Sequence, residues 1–281
     1  MRRFGIFIVA VGICFNVFGQ QEIKIITWNV LEGLGNEASY GEGRRESCIK
    51  WLGERNADVI ALQEMYEDEG KLSCDAKSWG HNYYVSSGPL ALTSNRPVTL
   101  KKSYAKTEGG FWHGVLHCET YGLDFLVVHL CPADWKYRLR EAEMIKTIVD
   151  TIKNKTDKYI VVGDFNAHSP FDSEFHLQKP DLLKKYKKGD KESESRGSSY
   201  RNLADNHLDY SVMSKFLSFP LIDVSQRFVP LHNRFTFPSP ILIGVWRTAG
   251  NIGRTQERID YILASPELSR FCKGVTIYNN D

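Results

Sequence analysis

The stretch that decides the fold is Val161-Val162-Gly163-Asp164-Phe165-Asn166-Ala167-His168. An apolar run from Tyr159 to Val162 predicts a buried strand that ends in Gly-Asp-Phe-Asn. Side chains two residues apart on an extended chain point to the same side, so Asp164 and Asn166 can face one ligand. A carboxylate beside an amide suits a site that takes up a proton or holds a cation and donates hydrogen bonds to a charged oxygen. The alternative is a structural Asx turn, in which both side chains cap the backbone.

Four other predicted strands also carry a polar side chain, at or near their ends. These residues are Asn29, Glu64, His129 and Asp260. An unpaired carboxylate inside a sheet costs several kcal/mol, because a buried charge loses its hydration. Carboxylates grouped at one rim can instead bind a hard divalent cation through their oxygens. The repetition of this pattern therefore predicts a shared site at one edge of the strands.

The first residues have the layout of a secretory signal peptide. Arg2 and Arg3 precede an almost unbroken apolar run from Phe4 to Phe18, and Gly19 stands before a polar segment. This run is too short and wrongly flanked for a membrane-spanning helix. We therefore predict a signal peptide at residues 1–19, a mature domain at residues 20–281, and a periplasmic or secreted protein with no stable membrane span after cleavage. The alternative is an uncleaved membrane anchor.

The composition is that of an ordinary globular protein, and it restricts the partners. The chain has 281 residues, 42% hydrophobic and 25% charged, with no linker or repeat that would divide it. With Arg2 and Arg3 removed, the 36 Lys and Arg fall to 34, equal to the 34 Asp and Glu. A neutral mature chain lacks the broad basic field of a tight, non-specific nucleic-acid binder. A net charge of zero does not exclude a local basic groove.

Two helices and one insertion complete the outline. Helical spacing of apolar residues predicts helices at Arg44–Arg55 and Trp135–Lys153. The lysine- and serine-rich stretch 172–206 predicts a solvated insertion, with a short helix near Pro180 and a flexible middle. A phosphate-attracting arm is the alternative for this charge run. Five cysteines follow residue 19 without a Cys-x-x-Cys spacing, so we expect no zinc site and at least one unpaired thiol.

The strand ends resemble the successive motifs of the endonuclease/exonuclease/phosphatase superfamily. In chain order the motifs are Thr27-Trp28-Asn29-Val30, Leu62-Gln63-Glu64, His129-Leu130, Gly163-Asp164-Phe165-Asn166 and Arg258-Ile259-Asp260-Tyr261-Ile262. The superfamily includes deoxyribonuclease I, abasic-site endonucleases, sphingomyelinases and inositol-polyphosphate phosphatases. The resemblance implies an α/β (α+β) fold, a four-layered α/β sandwich in which two central mixed β-sheets are flanked by helices.

The same resemblance implies the ligands of a metal. Glu64 would be the principal Mg²⁺ ligand, with Mn²⁺ as the alternative ion, and Asn29 would lie beside it to orient the cation or a phosphate oxygen. Binding through one carboxylate and several waters is usual for Mg²⁺ in proteins.

Four further residues take catalytic roles by this resemblance. Asp164 would orient or deprotonate the attacking water, and Asn166 would donate hydrogen bonds to the phosphoryl oxygens. His129 would lie near the leaving group or the phosphate. Asp260 would be partnered to a terminal catalytic histidine or lie near the metal. We interpret His113 and His168 as structural.

One departure from the family pattern bears on catalysis. The family normally closes with Ser-Asp-His, and no such triplet follows Asp260 in this sequence. Either the sequence stops before that motif or the protein lacks the catalytic histidine. In the second case general acid–base assistance worth roughly 10² to 10⁴ in rate would be missing.

Together these observations predict an exported, Mg²⁺-dependent phosphoester hydrolase that uses in-line attack of water on phosphorus. Its substrate could be nucleic acid, a phospholipid headgroup or a small phosphate ester, and we expect a monomer. The competing hypothesis is a catalytically weak relative that binds a phosphorylated ligand without cleaving it efficiently.

Overall fold

Two mixed β-sheets form the centre of the molecule. The structure is a computed structural model that describes residues 11–17, 21–34, 37–106, 110–218 and 221–279. The strands are β1 Val11–Val17, β2 Gln21–Asn29, β3 Val59–Gln63, β4 Tyr83–Ser87, β5 Leu90–Ser94, β6 Thr99–Tyr104, β7 Val115–Thr120, β8 Leu123–His129, β9 Tyr159–Asp164, β10 Leu203–Ala204, β11 His207–Leu208, β12 Ile222–Asp223, β13 Asp260–Ala264 and β14 Cys272–Ile277. One sheet has the order β14-β1-β2-β3-β5-β4 and the other β12-β13-β9-β8-β7-β6, while β10 and β11 form a separate hairpin.

Helices cover the outer faces of these sheets. They are α1 Glu37–Tyr40, α2 Arg44–Arg55, α3 Glu69–Ser78, α4 Trp135–Lys153, α5 Ser173–Leu177, α6 Pro180–Ser195, α7 Ser211–Ser218 and α8 Pro266–Ser269. Short 3₁₀ turns lie at Pro170–Asp172, Val224–Arg227, Leu231–Asn233, Pro240–Leu242 and Ile252–Arg254. The predicted helices at Arg44–Arg55 and Trp135–Lys153 have the predicted bounds.

The side-chain alternation along the strands explains the four layers. In β2, Ile25 packs into the core between the two sheets, whereas the next residue, Ile26, packs with Trp51 and Leu52 of α2. In β9, Val162 likewise faces the space between the sheets, and Val161 packs against α4 and α7. Each sheet therefore buries both faces, which confirms the predicted four-layered sandwich. No disulfide joins the cysteines whose side chains the structure describes.

Strand register brings the polar strand ends together. The parallel pairing of β8 with β9 places His129 opposite Asp164, and the antiparallel pairing of β9 with β13 places Asp164 opposite Asp260. In the other sheet, the parallel pairing of β2 with β3 places Asn29 opposite Gln63, the residue before Glu64. The residues that lie far apart in the chain thus meet at one rim.

Gly163 is required where β9 approaches β8. Its φ is +144°, and a Cβ at this position would lie 2.0 Å from the carbonyl oxygen of Val128 in β8. Real atoms cannot approach so closely, and the contact is with backbone rather than with a side chain that could turn away. The glycine therefore allows the pairing that sets His129 beside Asp164.

Strand β1 lies within the segment predicted as a signal peptide. It pairs with β2 from Val11–Thr27 to Val17–Gln21, and with β14 on its other edge. Residues 1–10 and 18–20, which include the predicted cleavage point after Gly19, lie outside the described residues. The signal peptide and the boundary at residue 20 stay predictions. Within the described ranges, no helix has both the length and the apolar character needed to cross a bilayer.

The predicted flexible middle of the 172–206 insertion is wrong. Helix α6 occupies 16 residues of this stretch, with Pro180 in its first turn. Leu182 is completely buried, and Lys188 pairs with Glu192 one turn further along the exposed face. Helix α6 is amphipathic. Its charged residues dominate the sequence of this stretch, because only a narrow stripe of the helix contacts the rest of the protein.

Candidate active site

All six residues predicted for the site line one cavity. The cavity has a volume of about 570 Å³ and opens where β2, β3, β8, β9 and β13 present their polar ends. The six residues are Asn29, Glu64, His129, Asp164, Asn166 and Asp260. The volume lies within the range of small-molecule sites in proteins. The fold thus gathers the predicted residues, whereas their individual roles stay predictions.

Asn29 joins the two carboxylates at the centre of this cavity. Its Nδ2 donates to Glu64 Oε1 at 2.8 Å and to Asp164 Oδ2 at 3.0 Å. Its Oδ1 accepts from the backbone N–H of Leu31 at 2.9 Å, which orients the amide. Asn29 therefore positions the carboxylates directly. A cation at this place would be held by carboxylate oxygens, with Asn29 acting through them.

Two site residues have left-handed backbone conformations. Glu64 has φ +58° and Asn166 has φ +48°. Such conformations cost free energy in residues other than glycine and are concentrated at functional sites. Each is held in place: the backbone N–H of Glu32 donates to Glu64 Oε2 at 2.9 Å, and the amide of Asn166 donates from Nδ2 to the carbonyl of Leu130 at 3.1 Å.

Asp164 forms an Asx turn and also faces the cavity, so both interpretations of its motif apply. Its Oδ1 accepts from the backbone N–H of Asn166 at 2.8 Å, which is the Asx turn. Its Oδ2 faces the cavity side of the cluster, where Asn29 donates to it. Burial raises the pKa of Asp164 to about 6, against the lowering effect of these two hydrogen bonds. A carboxylate with a pKa near neutrality suits a general base.

His129 lies against the carboxylates but forms no short hydrogen bond with them. Its Nε2 is 3.6 Å from Asp164 Oδ2 and 4.0 Å from Glu64 Oε1. Its ring stacks on that of His113, with centroids 3.8 Å apart and an angle of 17° between the planes. Burial lowers the pKa of His129 to about 4 and that of His113 to about 3. Both imidazoles are therefore neutral at physiological pH.

His113, predicted to be structural, lies beside His129 at the cavity. This residue lines the same cavity as His129, and its Nδ1 lies 3.1 Å from the carbonyl oxygen of His129. The adjacent loops are fixed by Glu141, whose carboxylate accepts from the backbone N–H groups of Trp112 at 2.7 Å and Cys131 at 2.8 Å. His113 follows no strand, so the strand-end pattern could not identify it.

Burial raises the pKa of Asp164, Arg138 opposes that rise without pairing with it, and no Lys or Arg in the described part of the chain is paired directly with the carboxylate cluster. No Lys or Arg in the described part of the chain forms an ion pair with Glu64, Asp164 or Asp260. Burial, together with the neighbouring Asp164, raises the pKa of Asp260 well above its usual value. Buried carboxylates at close quarters disfavour one another's ionisation unless a cation lies between them. The charges of this cluster therefore favour a bound cation.

The donor set fits Mg²⁺ better than a metal that needs many protein ligands. No group of three or more His, Cys, Asp or Glu side chains is arranged to hold a metal ion within the described residues. Mg²⁺ keeps several of its waters and needs only one or two carboxylates. Glu64, oriented by Asn29 and by the Glu32 N–H, provides such a carboxylate, with 19% of its side chain open to the cavity.

A family assignment follows from comparison with known proteins. The sequence matches the model of the Endonuclease/Exonuclease/phosphatase family over residues 26–280. The chain belongs to this family. It matched no curated protein. Enzymes that hydrolyse phosphoester bonds make up this family, in agreement with the site described above.

Solved structures share the fold of this family member at low sequence identity. The AP endonuclease from Archaeoglobus fulgidus aligns with a TM-score of 0.60 at 19% identity, over 88% of each chain. The 3′ phosphatase NExo from Neisseria, bound to a product DNA hairpin, aligns with a TM-score of 0.61 at 17% identity, over 88% of each chain. A mannosyl-6-phosphatase from Bacteroides thetaiotaomicron gives 0.52 at 13% identity, over 87% of this chain and 85% of the other. At these identities the likeness shows the fold alone.

Beyond the motifs of the endonuclease/exonuclease/phosphatase family, the cavity wall contains Glu257, which sequence reasoning missed. Glu257 is 1% exposed and accepts from Lys185 Nζ at 2.6 Å, from Tyr186 Oη at 2.6 Å and from His168 Nε2 at 2.7 Å. His168, predicted to be structural, serves in this network. Glu257 precedes its strand rather than ending one, so its local sequence carried no signal.

Thr236 is a second missed residue, and it positions Asp260. Its hydroxyl accepts from the backbone N–H groups of Ile259 at 3.1 Å and Asp260 at 3.2 Å. The neighbouring Arg258 is buried between Asp172 and Asp223, at 2.7 Å and 2.8 Å from Nη2. These contacts anchor the start of β13 at the site.

Proposed function

We propose that this protein is an exported, Mg²⁺-dependent phosphoester hydrolase. The observation that supports the chemistry is the cluster of half-buried Glu64 with buried Asp164 and Asp260, which lies beside amide donors and has no Lys or Arg partner within the described residues. Family membership supplies the reaction class. In-line attack of water on phosphorus needs a base for the water, donors for the added charge and a cation near the phosphoryl oxygens.

The residues of the cavity divide these tasks. Asp164 accepts a proton from the attacking water, since its Oδ2 lies on the cavity side and hydrogen bonds from Asn29 and the Asn166 N–H hold the carboxylate in place. Asn166 has one amide hydrogen committed to Leu130, and its second is free to donate to a phosphoryl oxygen. His129, neutral and held by stacking on His113, lies where it can contact the phosphate without repelling a metal.

Glu64, positioned by Asn29, would hold the metal ion. When bound, Mg²⁺ would supply Lewis-acid stabilisation of the charge that builds up on the phosphoryl oxygens. The water oxygen forms the new bond to phosphorus as the bond to the leaving oxygen breaks on the opposite side, and the leaving oxygen takes up a proton from solvent. Asp164 retains the proton removed from the water until it is released to solvent.

Chelation and removal of the Glu64 carboxylate test this proposal together. We expect EDTA to abolish hydrolysis and added Mg²⁺ to restore it. Glu64→Gln should lower kcat/KM by about 100-fold or more, because the amide loses the negative charge that holds the cation. Glu54→Gln, at an exposed position of α2, is the matched control and should retain full activity.

The assay should compare plasmid DNA, a phosphomonoester and sphingomyelin, since these represent the three substrate classes. Hydrolysis that continues undiminished in EDTA would contradict the metal mechanism. Binding of a phosphorylated ligand without turnover in Mg²⁺ or Mn²⁺ would instead favour the alternative of a binding protein.

Export is tested by determining whether residues 1–19 are removed. Expressed with its native leader in a Gram-negative host, the protein should reach the periplasm or the medium with residues 1–19 removed, as its basic and apolar N-terminal pattern predicts. Mass spectrometry of the purified N-terminus measures this. Ile8→Arg, which interrupts the apolar run, should keep the protein in the cytoplasm. A cytoplasmic protein that retains Val11–Val17, the strand paired with β2 and β14, would contradict export.

A further inference from the structure

The cavity has a second end, formed by α6 and the loop 231–257. Several contacts join these two elements. Lys179 Nζ donates to the carbonyl of Gly253 and to Gln256 Oε1, both at 2.8 Å. Arg254 pairs with Asp181 at 2.5 Å, one turn before the Lys185–Glu257 pair. Helix α6 and this loop therefore form one continuous wall.

Two cationic side chains from this wall converge on one aromatic ring. Lys185 Nζ lies 5.2 Å and Arg247 Cζ 5.6 Å from the ring centroid of Phe237, and all three residues line the cavity. The two cations come from different elements, 62 residues apart in the numbering. Both cations therefore lie beside Phe237 on the wall of the cavity.

Both cations keep donors that a ligand could use. Lys185 is 29% exposed, and its one carboxylate partner, Glu257, is shared with Tyr186 and His168. An ammonium group has three donors, so the pair with Glu257 leaves hydrogens for the cavity. A guanidinium group has five N–H donors, and Arg247 donates one of them, from Nη1, to the carbonyl of Trp246.

The loop that carries Arg247 is preorganised. The backbone N–H of Arg247 donates to Leu242 at 2.9 Å, and its carbonyl accepts from Gly244 at 2.8 Å. Its Nη1 donates to the carbonyl of Trp246 at 2.8 Å. Binding an anion here would therefore require little ordering of the loop.

The mechanism proposed above does not use this end of the cavity. The carboxylate end attracts a cation, whereas Lys185 and Arg247 attract an anion. Two exposed aromatic side chains, Tyr66 and Trp246, 58% and 50% exposed, line the same cavity and offer flat apolar faces to a ligand. The volume of about 570 Å³ admits a molecule of nucleotide size.

We propose that Lys185 and Arg247 bind a second anionic group of the substrate, distinct from the phosphoester that is cleaved. The substrate class is then a small phosphoester with two anionic groups, such as a nucleoside bisphosphate. This inference rests on the proposed function for the position of the reacting group. It favours a small molecule over a nucleic acid, because the anion site lies within the cavity wall and the full chain has a formal net charge of only +2.

The test compares the affinities of matched probes. Adenosine 3′,5′-bisphosphate, adenosine 5′-monophosphate and adenosine 3′-monophosphate are titrated by calorimetry, with CaCl₂ in place of MgCl₂ to suppress turnover. We expect the bisphosphate to bind at least about 10-fold more tightly than either monophosphate. Its second phosphate adds charge-assisted hydrogen bonds, and these provide free energy of that size. Arg247→Gln should reduce this preference to about 2-fold, and Arg247→Lys should restore part of it.

Lys185→Gln should also reduce the preference, and its thermal unfolding must be measured because Glu257 loses a partner. Lys184→Gln and Arg270→Gln are the controls, since both residues are largely exposed and neither lines the cavity. Equal affinity for bisphosphate and monophosphates, or no binding of any probe, would overturn the proposal. So would a preference that survives in Arg247→Gln. Tighter binding of a single-stranded oligonucleotide than of the bisphosphate would place nucleic acid in the site instead.

These outcomes separate the two proposals. Metal-dependent hydrolysis without a bisphosphate preference would leave the proposed function in place and refute the anion site. A preference that depends on Arg247, in a protein that hydrolyses no phosphoester, would refute the proposed function alone.

Discussion

Replacing Asp164 by asparagine is expected to reduce kcat by about 10² to 10⁴ while the protein stays folded. The amide cannot accept the proton of the attacking water. Burial penalises the charged form of Asp164 and raises its pKa to about 6, and a neutral side chain of the same shape avoids that penalty. One hydrogen bond from Asn29 is lost, at a cost of about 1 kcal/mol.

Steady-state kinetics and thermal unfolding of Asp164→Asn measure these two effects separately. Asp150→Asn, on the exposed face of α4, is the matched control and should change neither activity nor stability. The loss should appear in kcat more than in KM, because the base acts in the transition state. Full kcat in this variant would show that Asp164 is not the general base.

Replacing Gly163 by alanine should destabilise the protein by about 3 kcal/mol or more. The added Cβ would lie 2.0 Å from the carbonyl oxygen of Val128, at a φ of +144° that alanine rarely adopts. Relief of this contact requires β9 to move away from β8. Since that pairing sets His129 opposite Asp164, any variant that folds should also lose activity.

Urea unfolding of Gly163→Ala provides the measurement. Gly189→Ala is a sensitive control, because Gly189 lies in α6 with no atom within 4 Å of the added Cβ. Alanine there should stabilise the helix by about 0.5 to 1 kcal/mol. Equal unfolding midpoints for wild-type protein and Gly163→Ala would show that β8 and β9 can separate without cost.

Much of the site could be predicted because its signals are local. A buried strand is recognised from a few consecutive apolar residues, and its polar end follows directly in the sequence, as at Asp164 and His129. The helix Trp135–Lys153 was predicted with its observed bounds because its apolar spacing is regular over many turns. Helix α6 was predicted near Pro180 but much too short, since its charged face dominates its composition and a single narrow stripe is buried.

The sequence by itself predicted the polar strand ends, two long helices and the family, and it proposed the residues that would bind a metal or move a proton. Each of these depends on residue types at short spacing. The tertiary structure alone decided which of these residues meet. Pairing of β8, β9 and β13 placed His129 and Asp260 on either side of Asp164, and stacking brought in His113.

The contacts at the second end of the cavity could not be predicted from the sequence either. Lys185 reaches Glu257 across 72 residues, and Arg247 reaches the same wall from another loop. Neither residue belongs to a local pattern, because hydrogen bonds and ion pairs between distant segments depend on how whole elements pack. Local spacing thus predicts which functional groups the strand ends carry. Long-range packing decides which of these groups line the cavity where a substrate would bind.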